Sequence, residues 1–505
     1  MLNISDIVSV LRTHVIQILE IVLATAVLWQ LLSAGYNLFL HPLRRFPGPA
    51  LQRASSLPWA IQNAKGTVAF RTQQLHDKYG PIVRIGPHHL SITHADAWKD
   101  IYGFQPGTKG GTTEMEKSKH FAATVDDLPK SIINADREEH QRFRRALAHG
   151  FSDSSMRAQE GIILRYIDKL MDSLKEASRD GEAALNIEAW YNWTTFDVAG
   201  DLVFGQSFRC LERRDYHPWI AFILGAIRAG AIMTSVSYVG LNAVVQMIFR
   251  VGGLRAMYKL RESTDGMMED RLKIQDGRQD LFEGLVRRRF DWNISFDKLS
   301  ANALILVLAG SETTATTLAG TTYLLLNHPK VLQKLNEEVR SSFKSASEIN
   351  INTATKLPYM LAVLHEALRL YPPVVSNQIR VIPAHGGVIC SEEIPPGTLV
   401  EIQQWSSNHS PENWSEPWKF MPERFLDLEK NDHDRLDSLQ PFSVGPRNCI
   451  GRNLAYAEMR MVLARLIFDF DMQLAQGNDG WIERQRAFGL WERIPLKIHL
   501  KPVKR

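Results

Sequence analysis

A short loop near the C-terminus constrains this chain more than any other feature. The loop reads Phe442-Ser-Val-Gly-Pro-Arg-Asn-Cys-Ile-Gly451, and a helix-like run from Asn453 to Arg460 follows it at once. Cys449 therefore stands at the N-terminus of a predicted helix, where the helix dipole and free backbone N–H groups stabilise a thiolate. This setting predicts that Cys449 is an anionic metal ligand.

Three more residues of the loop fit a flat, acidic cofactor beside the cysteine. Gly445 and Gly451 allow unusual backbone angles and the close approach of a flat group. Arg447 can pair with an acid group of that cofactor. The alternative is a structural cysteine buried in a turn, because free cysteines are often buried.

The pattern Phe-x-x-Gly-x-Arg-x-Cys-x-Gly resembles the haem-binding loop of the cytochrome P-450 family. The resemblance implies that Cys449 binds the iron of heme b and that Phe442, Arg447 and Gly451 contact the cofactor. A thiolate on haem iron favours O–O cleavage. The expected activity is that of a haem-thiolate monooxygenase, which inserts one atom of O2 into its substrate.

The composition is that of a globular protein, with 23% charged and 45% hydrophobic residues in a chain of 505. The net charge of +4 is too small to indicate nucleic-acid binding without a clustered basic patch. The cysteines are Cys210, Cys390 and Cys449. Such an odd and sparse set argues against a disulfide framework and favours a reducing compartment.

An apolar stretch precedes the globular part of the chain. Residues Val15 to Leu40 are mostly Leu, Ile, Val and Ala, which is long enough to cross a bilayer as one helix. Arg44 and Arg45 follow, and positive charge there favours a cytosolic C-terminal side. We predict a membrane anchor over residues 1–43 and a catalytic domain over 44–505. A buried or interfacial N-terminal helix is the alternative.

The proline-rich segment Phe46-Pro-Gly-Pro49 follows the anchor. Proline restricts its own backbone and that of the residue before it, so this segment is expected to be stiff and extended. It would hold the catalytic body at a set angle to the membrane. The body carries glycosylation sequons, which would be modified only if the body were lumenal. They lie at Asn192, Asn293, Asn408 and Asn413.

Helical periodicity dominates residues 65–370, and short strand candidates are few. The predicted fold class is mainly α with a small β portion. By the resemblance this is the cytochrome P-450 fold, preceded by a single N-terminal transmembrane helix. The predicted strands are Ile82–Ile85, Leu90–Ile92, Arg380–Ile382 and Leu399–Ile402.

The run from Leu299 to Leu326 is apolar on nearly all faces, which predicts a core helix rather than a second membrane span. It contains Ala309-Gly-Ser-Glu-Thr-Thr314. A buried acid is costly without a partner or a task, and a threonine hydroxyl can replace a helix hydrogen bond, so we expect a local bulge here. The resemblance implies that Thr313 hydrogen-bonds dioxygen and that Glu312 relays protons. A Thr-rich packed helix is the alternative.

Glu366 and Arg369 lie three residues apart on one helical face and can pair. An exposed pair of this kind is weak and common. Before a Pro372-Pro373 stop, it resembles the Glu-x-x-Arg motif of the family. The resemblance adds Arg424 as a third partner and makes the trio structural rather than catalytic.

His140 and Arg144 are four residues apart and share one face of a predicted helix. The resemblance implies that these two residues and Arg380 contact the haem propionates. Solvated surface charges are the alternative. Together with Arg452 they would also form a basic face for an acidic electron donor.

The apolar segment from Trp219 to Phe249 is interrupted by Gly225, Gly230 and Gly240. It is either two core helices or, as often in the family, a mobile lid that dips into the membrane. The readable pocket walls are apolar, which predicts a lipophilic small-molecule substrate. The candidate walls are 101–125, Leu304 to Thr314, Val374 to Ile379 and Phe488 to Leu490.

The combined features predict a single-pass protein of the endoplasmic reticulum membrane with a cytosolic catalytic domain. The chain shows no Gly-x-Gly-x-x-Gly site or flavin domain, so an NADPH-cytochrome reductase would supply electrons. The chain resembles fungal microsomal members that tailor terpenoid, polyketide or alkaloid secondary metabolites. Two alternatives remain: an isomerase or dehydratase acting on a peroxide without a reductase, and a non-catalytic haem sensor. The pair Glu312 and Thr313 argues against both.

Overall fold

The structure, a computed structural model, describes residues 4–106, 112–119, 129–248, 255–274, 278–375, 378–427, 429, 432–492 and 494–504. Helices dominate this part of the chain. They are α1 (Ile4–Phe39), α2 (Ala50–Ala54), α3 (Leu57–Ala64), α4 (Val68–Tyr79), α5 (Ala97–Tyr102), α6 (Arg137–Leu147), α7 (Asp153–Ser178), α8 (Ile187–Phe204), α9 (Cys210–Arg213), α10 (Pro218–Tyr238), α11 (Asn242–Ile248), α12 (Arg255–Lys273), α13 (Glu283–Arg288), α14 (Phe296–Asn327), α15 (Pro329–Ser342), α16 (Ile351–Ala354), α17 (Pro358–Leu370), α18 (Gln404–Asn408) and α19 (Arg452–Asp469).

The strands are short and form small sheets. They are β1 (Ile82–Gly86), β2 (His89–Ile92), β3 (Gln105–Pro106), β4 (Thr112–Thr113), β5 (Glu116–Lys117), β6 (Ala184–Asn186), β7 (Arg380–Val381), β8 (Gly387–Ile389), β9 (Glu392–Ile394), β10 (Leu399–Glu401), β11 (Phe470–Leu474), β12 (Ala487–Phe488), β13 (Leu490–Trp491) and β14 (Lys497–Pro502). The predicted class, mainly α with a small β portion, is confirmed.

All four predicted strands belong to one five-stranded sheet, in the order β1-β2-β10-β7-β5. Strands β2 and β10 run parallel, and the other neighbours in the sheet are antiparallel. The prediction did not include β5, which has two residues and pairs with the edge of β7. Separately, β11 and β6 flank β14 in a three-stranded sheet.

Three helices in the described residues are long and apolar enough to cross a membrane: α1 from Arg12 onward, α10 and α14. They differ in how much protein covers them. The apolar 18-residue window of the span in α1 contains no buried residue, whereas most of the corresponding window in α14 is buried. The structure therefore confirms α14 as a core helix and leaves α1 as a candidate membrane anchor.

The core centres on the pair α8 and α14. The Ser311 hydroxyl on α14 donates to the Thr195 carbonyl on α8 at 3.1 Å, and the hydroxyls of Tyr191 and Thr322 lie 2.8 Å apart. Nearly every residue of α8 is buried. This packing fixes α14 in the middle of the molecule.

The glycine pattern expected to interrupt the segment after Trp219 is only partly right. Gly225 and Gly230 lie inside the continuous helix α10, and of the three glycines only Gly240 lies in the short turn between α10 and α11. A glycine costs a helix about 1 kcal/mol, which packing against neighbouring elements overrides. The end of the predicted segment, Phe249, lies outside the described residues.

The proline-rich segment after α1 packs against the first strand of the sheet. The Arg84 amide on β1 donates to the Pro47 carbonyl at 2.7 Å. A Cβ atom on Gly48 would lie 2.3 Å from the Arg84 carbonyl oxygen, so the approach requires glycine. Backbone contacts therefore connect the chain after α1 to the body.

Three of the four sequon asparagines are buried. The Asn192 side chain donates to the Glu188 carboxylate at 2.7 Å, and Asn408 donates to the Arg369 carbonyl at 3.0 Å. The Asn413 amide donates to the Thr93 carbonyl at 2.7 Å. Asn293 is exposed, in the turn between α13 and α14.

Candidate functional site

The loop that carries Cys449 folds back on itself before α19. The Cys449 amide donates to the Phe442 carbonyl at 2.8 Å, and the Ala455 amide donates to the Gly451 carbonyl at 2.9 Å to begin the helix. The Phe442 ring packs against Tyr456 of α19, with ring centroids 5.1 Å apart. Cys449 is thus held two residues ahead of the helix N-cap, as the sequence predicted.

The two glycines of this loop have different roles. Gly445 has φ of +74°, and a Cβ atom there would lie 2.0 Å from the Tyr102 carbonyl oxygen at the end of α5. Gly451 has φ of −85°, which any residue adopts. The expectation of unusual backbone angles is therefore confirmed at Gly445 and wrong at Gly451, which acts as an ordinary helix N-cap.

The Cys449 thiol is free, and its side chain has accessible surface within a half-buried loop. Burial raises the pKa of this thiol, while the Gly451 amide and the cations Arg144 and Arg452 act to lower it. The stabilising groups predicted from the sequence are present, but burial outweighs them in the protein alone. A metal ion bound there would supply the missing charge, because metal coordination favours the thiolate.

Arg447 faces a carboxylate that the sequence did not indicate. Its Nε and Nη2 atoms each lie 2.8 Å from Oε1 of Glu114, and Nη1 donates to the Ala135 carbonyl at 2.8 Å. Both side chains of the pair are largely buried. Glu114 therefore fixes the orientation of Arg447.

Two more cations stand side by side in the sheet. Lys117 on β5 is the direct cross-strand partner of Arg380 on β7. Like charges in this position repel each other. Burial, Arg380 and Arg447 lower the pKa of Lys117 to about 7, and burial also lowers the pKa of Arg380.

His140 and Arg144 of α6 approach the same region from another side. Burial, followed by the charges of Arg447, Arg144 and Lys117, lowers the pKa of His140 to about 3, so its ring is neutral. Arg144 donates to the Asn448 carbonyl at 2.7 Å and to the Asn448 side chain. It therefore holds the residue next to Cys449.

We call Lys117, His140, Arg144, Arg380, Arg447 and Glu114 the Lys117 cluster. Among the residues that the structure describes, it joins four cationic side chains and one carboxylate around the Cys449 loop. Buried positive charge in excess is costly without an anionic partner. A lone thiol beside such a cluster fits haem, which presents a metal to the thiol and acid groups to the cations.

Thr313 and Glu312 occupy different faces of α14. Glu312 is buried, and Thr313 is half-buried beside the exposed Ala309. The Thr313 hydroxyl donates to the Ala309 carbonyl at 2.6 Å. The helix nevertheless runs from Phe296 to Asn327 without a break, so the expected bulge is absent and the hydroxyl back-bond alone is present.

A sequence profile of the cytochrome P-450 family matches residues 47–499 of this chain. The chain belongs to the cytochrome P-450 family. Because the family is defined by its cofactor and chemistry, the protein is a haem-thiolate monooxygenase whose haem iron is ligated by a cysteine. Its reaction consumes O2 and a small-molecule substrate, with electrons from a redox partner.

Named relatives agree with this assignment. Cytochrome P-450 monooxygenase tpeC of Talaromyces stipitatus is 45% identical, covering 94% of this chain and 93% of the relative. Averantin hydroxylase of Dothistroma septosporum is 41% identical, covering 94% and 90%. Trichothecene C-15 hydroxylase of Fusarium sporotrichioides is 40% identical, covering 92% and 94%. All three come from fungi.

The structure also brings together the predicted trio of Glu366, Arg369 and Arg424, and Asp434 joins them as a fourth member. The Glu366 carboxylate receives two bonds of 2.8 Å from Arg369 and one of 3.1 Å from Arg424. Arg424 also pairs with Asp434, which the sequence did not indicate. None of these four side chains has exposed surface. We call them the Glu366 cluster.

Two of the expected substrate walls of this P-450 meet in the structure. Val374 forms an isolated β-bridge with Leu490, and the Val375 amide donates to the Gly489 carbonyl at 3.3 Å. Within the other walls, 107–111, 120–125 and 376–377 lie outside the described residues.

Proposed function

We propose that the protein is a membrane-bound cytochrome P-450 monooxygenase that oxidises a lipophilic small molecule in fungal secondary metabolism, and that Cys449 would hold the haem iron. The observation that carries the ligand assignment is the accessible thiol at the start of α19, beside the Lys117 cluster. When bound, haem with a thiolate ligand supplies the dioxygen chemistry.

The cofactor-binding residues follow from the same geometry. Arg380, Arg447 and Lys117 would hold its acid groups, because charge-assisted bonds to arginine and lysine are strong. Arg144 would position Cys449 through Asn448. The neutral His140, together with Phe442 and Gly451, would pack against the cofactor.

On α14, Thr313 and Glu312 would manage protons and solvent. The Thr313 hydroxyl can turn from the Ala309 carbonyl toward a bound ligand, since Ala309 and Gly310 leave open space on that face. Glu312, buried one residue before on another face of the helix, would hold a proton for the same reaction. Both roles are general acid–base functions that a positioned side chain performs.

Membrane attachment would follow from α1. We assign residues 1–43 to an anchor and 44–505 to the catalytic domain, on the cytosolic face of the endoplasmic reticulum. The basic residues Arg44 and Arg45 directly after the anchor support this orientation. The exposed Arg142, Arg145 and Arg452 would receive an acidic NADPH-cytochrome reductase.

The substrate would be apolar, judged from the walls. Val374 and Leu490 are partly buried apolar residues, and the neighbouring Val375 belongs to the main hydrophobic core. The names of two relatives, averantin hydroxylase and trichothecene C-15 hydroxylase, make averantin and trichothecenes the first compounds to test.

The ligand assignment is tested by the carbon monoxide difference spectrum of the reduced protein in yeast microsomes. Wild type should give the strongly red-shifted Soret band of thiolate-bound haem, and Cys449→Ser should lose it. Cys390→Ser is the matched control, since Cys390 is also free and partly accessible. A normal band in Cys449→Ser would reject Cys449 as the ligand.

The proposed role of Thr313 on α14 is tested by measuring how tightly NADPH consumption is coupled to substrate oxidation. Thr313→Ala should keep haem but release NADPH-derived electrons as peroxide, measured as peroxide formed per NADPH. The control is Thr317→Ala, which loses an equivalent hydroxyl bond of 2.8 Å to the Thr313 carbonyl. Equal coupling in both variants would remove Thr313 from proton delivery, and turnover of a hydroperoxide without NADPH would favour the isomerase alternative.

A further inference from the structure

Three arginines cover consecutive backbone carbonyls at the C-terminal end of α1. The contacts are those of Arg84 with Asn37 at 2.9 Å, of Arg53 with Leu38 at 3.3 Å and of Arg44 with Phe39 at 3.0 Å. A helix leaves these last carbonyls without an internal partner, and the helix dipole favours cations beside them. We call Arg44, Arg53 and Arg84 the arginine collar.

The arginine collar carries positive charge that no acid balances. Within the part of the chain that the structure describes, none of its three side chains forms an ion pair with a carboxylate. Arg84 has no exposed surface, and burial together with the nearby charge of Arg53 lowers its pKa to about 10. It is therefore still charged at neutral pH. Buried or grouped charge of one sign is costly without an anionic partner.

The neighbouring Arg45 differs from the collar, because its charge is already balanced. Its Nη2 atom lies 3.1 Å from the Glu392 carboxylate and donates to the Glu393 carbonyl at 2.6 Å. Arg44 and Arg45 are both exposed. Two consecutive arginines with similar exposure thus differ in whether they have an acidic partner.

Two members of the collar keep N–H groups for a ligand, since a guanidinium has five donors. Arg53 uses only Nη2, in contacts of 3.3 Å with the Leu38 carbonyl and 3.4 Å with the Arg44 carbonyl. Its Nε atom has no partner among the described residues. In the same part of the chain, the Arg44 side chain donates from Nη1 alone. Planar guanidinium groups with spare donors suit bidentate binding of a phosphate, and the buried Arg84 adds charge behind them.

The collar lies at the end of the candidate membrane span, which finishes at Phe39. Phe39 is 71% exposed, and Leu51 on α2, two residues before Arg53, is 75% exposed. Helix α2 contacts α1 through the Asn37 amide, which donates to the Ala54 carbonyl at 3.0 Å. Exposed apolar side chains therefore accompany the cations. This combination fits a ligand with a charged headgroup and hydrocarbon chains.

We propose that the arginine collar binds one anionic phospholipid, with the headgroup phosphate between Arg44 and Arg53 and the acyl chains against α1 and α2. The proposal rests on the membrane attachment proposed for α1. A bound lipid would supply the missing negative charge. It would also join α1 to the body, because Arg53 belongs to α2 and Arg84 to β1.

Spin-labelled lipids test the site on the full-length holoenzyme in phosphatidylcholine vesicles. The measured quantity is the preference of the protein for labelled phosphatidic acid over labelled phosphatidylcholine, taken from the motionally restricted part of the spectrum. Wild type should prefer phosphatidic acid by roughly tenfold, and Arg44→Gln and Arg53→Gln should each lower the preference by roughly fivefold. The carbon monoxide spectrum verifies that each variant is folded.

Arg45→Gln is the matched control, because it removes an adjacent exposed charge that Glu392 already balances. It should leave the lipid preference nearly unchanged. Arg53→Lys keeps the charge but loses the planar fork, so its preference should lie between those of Arg53→Gln and wild type. Equal losses for Arg44→Gln and Arg45→Gln would overturn the proposal, since they would indicate diffuse attraction to surface charge rather than a site.

Inorganic phosphate distinguishes a lipid headgroup from free phosphate as the ligand. An excess of it should leave the preference of wild type unchanged, because only the lipid also uses the apolar surface. Loss of the preference would overturn the lipid assignment in favour of a site for free phosphate.

Flotation of the vesicles after an alkaline wash reports separately on the proposed membrane attachment. Protein that leaves the vesicles would reject α1 as a membrane anchor, and with it the lipid site. Protein that stays with the vesicles but shows no preference for phosphatidic acid would reject the lipid site alone.

Discussion

Two buried clusters of arginines in this molecule differ in how their charge is balanced. The Glu366 cluster has two acids and two bases, and its cations also donate to backbone carbonyls such as that of Asn408 at 2.7 Å. The Lys117 cluster has one carboxylate for four cations among the described residues. A cluster that balances itself maintains the fold, whereas one with excess charge is suited to an anionic ligand.

Removing one cation from the Glu366 cluster should have the largest effect, which is a loss of fold stability. Arg424→Gln leaves the buried carboxylates of Glu366 and Asp434 short of a cation, so the free energy of unfolding should fall by about 3–5 kcal/mol. Chemical denaturation of the protein before and after haem removal measures this loss. The comparison fails if Arg424→Gln is as stable as wild type, or if the loss appears only with haem bound.

The same arginine-to-glutamine change in the Lys117 cluster should weaken haem binding instead of destabilising the fold. Arg380→Gln removes a cation that faces Lys117 across the sheet, so stability without haem should change by less than about 1 kcal/mol. Haem release should accelerate by roughly tenfold or more, since a charge-assisted bond contributes about 1.5–3 kcal/mol. Transfer of haem to excess apomyoglobin measures the rate. A variant that unfolds like Arg424→Gln would erase the distinction between the clusters.

The pH dependence of haem retention should show the smallest effect. In the protein alone the pKa of Lys117 is about 7, and further acid groups nearby would raise it, so cofactor binding takes up a proton. Retention should therefore be greatest below pH 7 and fall as pH rises through the higher pKa of the complex. Lys117→Met should flatten this slope in the haem-transfer rate between pH 6.5 and 9. An unchanged slope would place the titrating group elsewhere.

Sequence patterns that span only a few residues predicted those elements whose conformation is set by neighbouring residues. The Cys449 loop, the long core helix and the four strands of the main sheet each have a signal within a few residues. The sequence also paired Glu366 with Arg369, since helical spacing alone puts them on one face.

The missed residues depend on contacts between distant segments. Lys117 belongs to a two-residue strand that exists only because β7, more than 260 residues later, provides its partner. The contact of 3.0 Å between His89 on β2 and the Tyr238 hydroxyl on α10 likewise joins residues that are 149 apart in sequence. Tertiary pairing, rather than propensity, decides such short elements.

The burial of Asn192, Asn408 and Asn413 has a consequence for where the chain can mature. Oligosaccharides are attached to a polypeptide as it enters the secretory lumen, before its core closes. A glycan on Asn408 would then stand where Arg369 must insert, and one on Asn413 would block its bond to Thr93. Glycosylation of these asparagines in a lumenal body would therefore oppose folding, a conflict that a cytosolic body avoids.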